Sequence, residues 1–118
     1  MSRPLRIEYA GAHYHIMNRG NRKRIVFNND LDYKLFLDRL VYFSEIYEID
    51  ILSYCLMPSH FHLYLKTNHP NLSRFMQSFM TSFTVIKNRN EDTYGHIFGM
   101  FHISPYLLYT FMYIGTIK

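Results

Sequence analysis

His60 and His62 stand one residue apart in Met57-Pro58-Ser59-His60-Phe61-His62-Leu63, inside a run that otherwise reads as a β-strand. Side chains two apart on a strand share a face. The two imidazoles can therefore converge on one ion while Phe61 points the other way into a core. Neutral imidazole is the commonest protein ligand for a metal, and the spacing suits a divalent ion that polarises a phosphate oxygen. His13-Tyr14-His15 repeats the same alternation in a similar context. Spacing alone does not separate the two pairs. One of them, or one residue of each, can be a packing or hydrogen-bonding histidine.

Such histidines need a sheet to carry them. Residues 12–18 read as a first strand, and Arg19-Gly20-Asn21-Arg22-Lys23-Arg24 follows as a basic loop with a glycine turn signal. Asn28 or Asn29 can cap a helix through about Tyr47, with Phe36, Leu40, Phe43 and Tyr47 on one apolar face. Residues 49–57 read as a second strand, Pro58-Ser59 breaks it, and residues 60–66 make a third. The short turn pairs these two as an antiparallel hairpin. Asn71 can cap a second helix to about Lys87, whose buried stripe is Leu72, Phe75, Met76, Phe79, Met80 and Phe83. Residues 97–103 are expected as a fourth strand, and Pro105 can open a last helix. The order β-α-β-β-α-β-α describes an α+β fold: a ferredoxin-like split βαβ sandwich with an antiparallel sheet and an additional C-terminal helix. Helices cover one face of that sheet and leave the other available.

The chain has 118 residues, which suits a single domain over 1–118. It is 48% hydrophobic and 18% aromatic, enough apolar material for a core, so disorder is excluded. The net charge of +4 favours an anionic partner, and Arg3, Arg6, Arg19, Arg22, Lys23 and Arg24 gather in the first 24 residues. Cys55 is the single cysteine, so no internal disulfide can form. That fits a reducing compartment, and its apolar surroundings read as a buried, inert thiol. No signal-peptide pattern or membrane-spanning apolar run is present. The expectation is a soluble, cytoplasmic protein.

Several motifs in order resemble one family. Tyr14-His15-Ile16-Met17-Asn18-Arg19-Gly20-Asn21 resembles the opening strand and loop of the single-tyrosine HUH transposases, and within them the REP-associated and insertion-sequence branches. Met57-Pro58-Ser59-His60-Phe61-His62-Leu63 is similar to that family's metal-binding strand. Leu72-Ser73-Arg74-Phe75-Met76-Gln77, Lys87-Asn88-Arg89 and Gly95-His96-Ile97-Phe98 look like its following helix and loop. The resemblance runs from about Arg3 to Phe98 and weakens beyond.

The resemblance implies cleavage and rejoining of single-stranded DNA, often beside an imperfect hairpin, through a 5′-phosphotyrosine intermediate. It makes His60 and His62 ligands of Mg²⁺ or Mn²⁺, with Mn²⁺ better matched to imidazole. The nucleophile falls in Tyr106-Leu107-Leu108-Tyr109-Thr110-Phe111-Met112-Tyr113-Ile114, which aligns best with Tyr113 in that role; Tyr109 and Tyr106 are the fallbacks. Arg19, Asn21, Arg22, Lys23, Arg24 and Arg74 become the nucleic-acid contacts, with Arg3 and Arg6 behind them, and Tyr14 or Tyr64 could stack on unpaired bases. The resemblance admits a homodimer as well as a single-subunit form.

Two departures qualify this picture. The third metal ligand should fall near residue 117, where Ile117 cannot coordinate. Gly99-Met100-Phe101-His102 stands where the family has Gly-Arg-aromatic, and the chain stops at Lys118. His102 is a weak substitute for the lost ligand. These features raise the expectation of a shortened or decayed member, and the alternative of an inactive transposase that only binds DNA or RNA.

Overall fold

The computed structural model of the chain describes residues 8–93, 95, 97–98 and 102–104, with residues 23 and 102–104 described by backbone. Strand β1 (His13–Arg19), helix α1 (Asp30–Tyr47), strand β2 (Ile49–Met57), strand β3 (His60–Thr67), helix α2 (Leu72–Glu91) and strand β4 (His102–Ser104) follow in that order. The strands form one sheet in the order β2-β3-β1-β4, antiparallel at every junction. Strand β3 lies between β1 and β2, so the first βαβ unit is split, and the architecture is the α+β, ferredoxin-like one expected from the sequence. The expected C-terminal helix lies outside the described residues.

Helix α1 starts and ends where its residues say it should. Asn29 caps α1, its side-chain oxygen accepting from the Asp32 amide at 3.0 Å. Glu48 closes α1 and Asp92 closes α2, both in the left-handed conformation (φ 56° and 55°). At the start of α2 the expected cap differs. The Asn71 side chain makes no capping bond; its amide instead donates to the Tyr47 carbonyl at 2.9 Å. The carboxylate of Glu8 takes over, accepting from the Ser73 amide at 3.3 Å. Helix α2 also runs a turn past Lys87, to Glu91.

Alternation along the strands sorts the sheet into two faces. Phe61, Leu63 and Leu65 of β3 and Tyr14 and Ile16 of β1 are buried in the core with Phe36, Leu40, Phe75, Met76, Phe79 and Phe83 of the helices. Phe36 is its hub, with ring centroids 4.8 Å from Phe61 and 4.9 Å from Phe79. Burial of Tyr14 removes it from the expected base-stacking residues, because an even-numbered β1 position faces the helices.

A register shift between Ile51 and Ser53 inserts Leu52 as an extra residue in β2. Before it, Ile49 and Ile51 are buried in the core; after it, Tyr54 and Leu56 pack against the same core. The bulge thereby places Cys55 opposite His62 and Met57 opposite His60. The fourth strand begins at His102 rather than at residue 97, since Phe98 makes only an isolated bridge to Gly20. Among the described residues no helix is long and apolar enough to cross a membrane.

Candidate metal and nucleic-acid site

His60 and His62 occupy alternate positions of β3, on the face turned away from Phe61 and the helices. Their ring centroids are 5.3 Å apart, with the planes at 80°. A metal about 2.1 Å from each coordinating nitrogen holds two imidazole centroids roughly 5–6.5 Å apart, so this separation fits a shared ion. Burial, and then the neighbouring His60, push the His62 imidazole below its ordinary value. His62 is therefore neutral at physiological pH, the form that donates a lone pair to a metal.

A third histidine joins them across the β1–β3 ladder. His15 faces Tyr64 in register and reaches diagonally to His62, with Nε2 3.1 Å from His62 Nδ1, the ring centroids 5.3 Å apart and the planes within 9° of parallel. His15 is 7% exposed, and burial together with His62 pushes its pKa down to about 4. The rival pair thus divides its roles: His15 hydrogen-bonds the site, while His13 is exposed and lies against the Tyr64 ring at 5.9 Å. Sequence spacing registers residues on one strand only, so the His15–His62 contact had no signal in it. Among the described residues no cluster of three or more His, Cys, Asp or Glu is arranged around a metal position.

The basic loop is fixed beside this pair by backbone bonds. Arg19 lies opposite His60 in the ladder. The next residue, Gly20, donates its amide to the Ser59 carbonyl at 2.7 Å, and Val26 and Phe27 both donate to Pro58, at 2.7 and 3.0 Å. The Asn21 amide donates to the Ile97 carbonyl at 2.7 Å. The loop leaving β1 is thus sewn onto the Pro58-Ser59 turn that launches His60. Between these anchors residues 21–23 form a single 3₁₀ turn, with Arg22 left-handed (φ 56°). Arg19, Asn21 and Arg22 are exposed and Arg24 is half-buried.

The remaining candidates fall elsewhere. Arg74 is exposed on the first turn of α2, in the helical layer and so across the sheet from the histidines. Tyr64 is half-buried on the histidine face, and burial raises its phenol above the ordinary value. Cys55 is half-buried rather than buried, opposite His62 in the ladder, and burial raises its thiol above the ordinary value. Backbone pairing sets His102 opposite Met17. Arg3, Arg6, Tyr106, Tyr109, Tyr113 and Ile117 lie outside the described residues.

Sequence reasoning missed one built feature. Lys87 is fully buried, its Nζ 3.1 Å from Asp32 Oδ2 and also bonded to Glu91. Asp32 in turn accepts from the Asn28 amide at 2.8 Å, at the foot of the basic loop. A signal existed: Lys87 continues the spacing of Phe79 and Phe83, and a lysine on a buried stripe must bring a counter-charge.

Comparison with known proteins matches this architecture. The chain belongs to the IS200-like transposase family, whose model matches residues 8–111. Among solved structures it is similar to a REP-associated tyrosine transposase bound to a REP hairpin, at 15% identity and a TM-score of 0.73 over 88% of this chain and 61% of that one. It is also similar to a protein of Deinococcus radiodurans R1, solved as a candidate transposase, at 14% identity and a TM-score of 0.68 over 92% of this chain and 89% of that one. At such identities the likeness is one of fold. The chain spans about three fifths of the REP-associated protein's length. No curated protein sequence matched it.

Proposed function

We propose that this chain is a metal-assisted strand transferase that cleaves and rejoins single-stranded DNA, folded as one domain over residues 1–118. The observation that carries the reading is the convergence of His60 and His62 on one sheet face, 5.3 Å apart, with Arg19 next to them in the ladder. A histidine pair beside fixed cations suits a negatively charged phosphodiester better than a neutral substrate. The hairpin bound by the REP-associated transposase supports a hairpin-containing DNA partner for this chain.

In this reading His60 and His62 hold Mn²⁺ or Mg²⁺, which when bound supplies Lewis-acid neutralisation of a phosphate oxygen. Arg19, Asn21, Arg22, Lys23 and Arg24 bind the flanking phosphates, and Arg74 serves a segment of DNA that passes the helical layer. The Tyr113 hydroxyl attacks the phosphorus; its oxygen–phosphorus bond forms as the bond to the 3′ oxygen breaks. The tyrosine proton is lost and the leaving 3′ oxygen gains one. The phosphotyrosine bond conserves the energy for rejoining, so no nucleotide cofactor is needed. The substrate and the lone thiol of Cys55 both suit the cytoplasm.

The test is incubation with a single-stranded hairpin DNA and Mn²⁺, followed by denaturing electrophoresis. A covalent protein–DNA adduct, absent in Tyr113→Phe and kept in Tyr106→Phe and Tyr109→Phe, is the expected result. Ile117 at the third-ligand position favours a second reading, an inactive DNA-binding module. Intact hairpin binding without an adduct would establish it. Sedimentation of the same complex decides between a monomer and a homodimer.

A further inference from the structure

We propose that His15 is a positioning residue for the metal pair: it accepts a hydrogen bond from His62 Nδ1–H and so commits His62 to coordinate through Nε2. The inference rests on the metal reading above and adds to it a residue from another strand. Three observations carry it. His15 Nε2 and His62 Nδ1 are 3.1 Å apart, a hydrogen-bond distance between two nitrogens of which only one can hold the shared proton. The ring centroids are 5.3 Å apart and the planes within 9° of parallel; with the two nitrogens at 3.1 Å the rings meet edge to edge, so the lone pair and the N–H lie nearly in one plane. His15 is buried, and it sits on the central strand β1, paired on both sides, so the bond is made from a rigid element.

The chemistry follows from what an imidazole can do. A neutral ring has one N–H and one lone pair. A coordinating ring gives its lone pair to the metal, and its other nitrogen must then carry the proton and find an acceptor. With His62 Nδ1 engaged by His15, coordination falls to Nε2. For His15 to accept, it must itself be neutral, with its proton on Nδ1. Its burial favours that neutral form. His60 has a weaker counterpart, its Nδ1 lying 3.4 Å from the Ser59 hydroxyl. The ligand nearer the strand centre is therefore the one held firmly.

The test needs no catalysis. In the metal-free wild-type chain at neutral pH, nitrogen-15 NMR of the histidine rings reads the tautomer directly, and His62 is expected as the Nδ1–H form. Manganese affinity is then followed by electron paramagnetic resonance. His15→Leu, which fills the site but cannot accept, is expected to bind Mn²⁺ about 10–100-fold more weakly. His15→Gln, whose amide oxygen can accept the same bond, is expected to keep wild-type affinity. A merely structural role for His15 would lower the melting temperature without moving the His62 tautomer. An Nε2–H His62 in the wild type overturns the inference without any variant, as does unchanged Mn²⁺ affinity in a folded His15→Leu protein. If the wild type binds no Mn²⁺ while His62 is the Nδ1–H form, the metal reading itself fails and the inference falls with it. The tautomer result thus tells the two failures apart.

Discussion

The Gly20 amide donates to the Ser59 carbonyl at 2.7 Å, joining the basic loop to the turn that starts the histidine strand. Through that bond, the proposed phosphate contacts and candidate metal ligands become parts of one rigid assembly. Its tightness is steric as well. A Cβ on Gly20 would meet the Arg24 carbonyl oxygen at 2.3 Å and Val26 Cγ2 at 2.8 Å. Neither neighbour is free to retreat, because the Val26 amide is bonded to Pro58. Gly20→Ala is therefore expected to cost about 1–3 kcal/mol of stability, read as a lowered melting temperature, together with weaker hairpin binding.

Arg19 and Arg22 are exposed, so their loss should touch binding and spare the fold. Replacing either with Ala is expected to weaken binding to all single-stranded hairpins alike and to reduce the salt slope of log K by about one phosphate's worth. Fluorescence anisotropy across a salt series measures both. The melting temperature should stay within the range of ordinary surface substitutions, roughly ±0.5 kcal/mol. Arg74→Ala, across the sheet, is expected to have the smaller effect.

Lys87 joins the end of α2 to the beginning of α1 through Asp32, beneath the basic loop. With no exposure at the lysine and little at the aspartate, removal of one partner leaves the other charge stranded. Lys87→Ala is expected to cost about 3–5 kcal/mol, measured by urea denaturation. Glu91→Gln removes only the more exposed partner and should cost much less.

Mild acid should loosen the metal-free protein. His15 has a folded pKa near 4 against 6.5 in the unfolded chain, because burial and His62 oppose its charge. Between these values the unfolded chain binds more protons, so stability is complete above about pH 6.5 and falls as pH drops towards 4. His62, lowered for the same reasons by burial and His60, acts in the same direction. Urea midpoints at several pH values, with EDTA present, check the slope. His15→Gln should flatten it.

Much of this was legible in the sequence because the signals are periodic. Phe36 and Leu40 on α1, and Leu72 through Phe83 on α2, repeat at helical spacing, and the core uses those positions. The alternation of His60, Phe61, His62 and Leu63 is enough to assign the two faces of β3. What was hidden depends on partners far along the chain. The bulge at Leu52 falls in Ile51-Leu52-Ser53-Tyr54-Cys55-Leu56, where nearly every residue is apolar and alternation marks no break. The fourth strand was expected at 97–103 because Ile97-Phe98-Gly99-Met100-Phe101 is apolar throughout, and only pairing with β1 selects residues 102–104. Tyr14 reads equally well as a core residue or a stacking platform until the register of β1 is known.

Manganese titration of the metal-free chain by calorimetry tests the central claim most directly. The wild type is expected to bind a single equivalent. His60→Ala and His62→Ala should each lose at least about tenfold in affinity, with melting temperatures that show the fold intact. No heat of binding in the wild type, or undiminished binding when both histidines are replaced, would contradict the account.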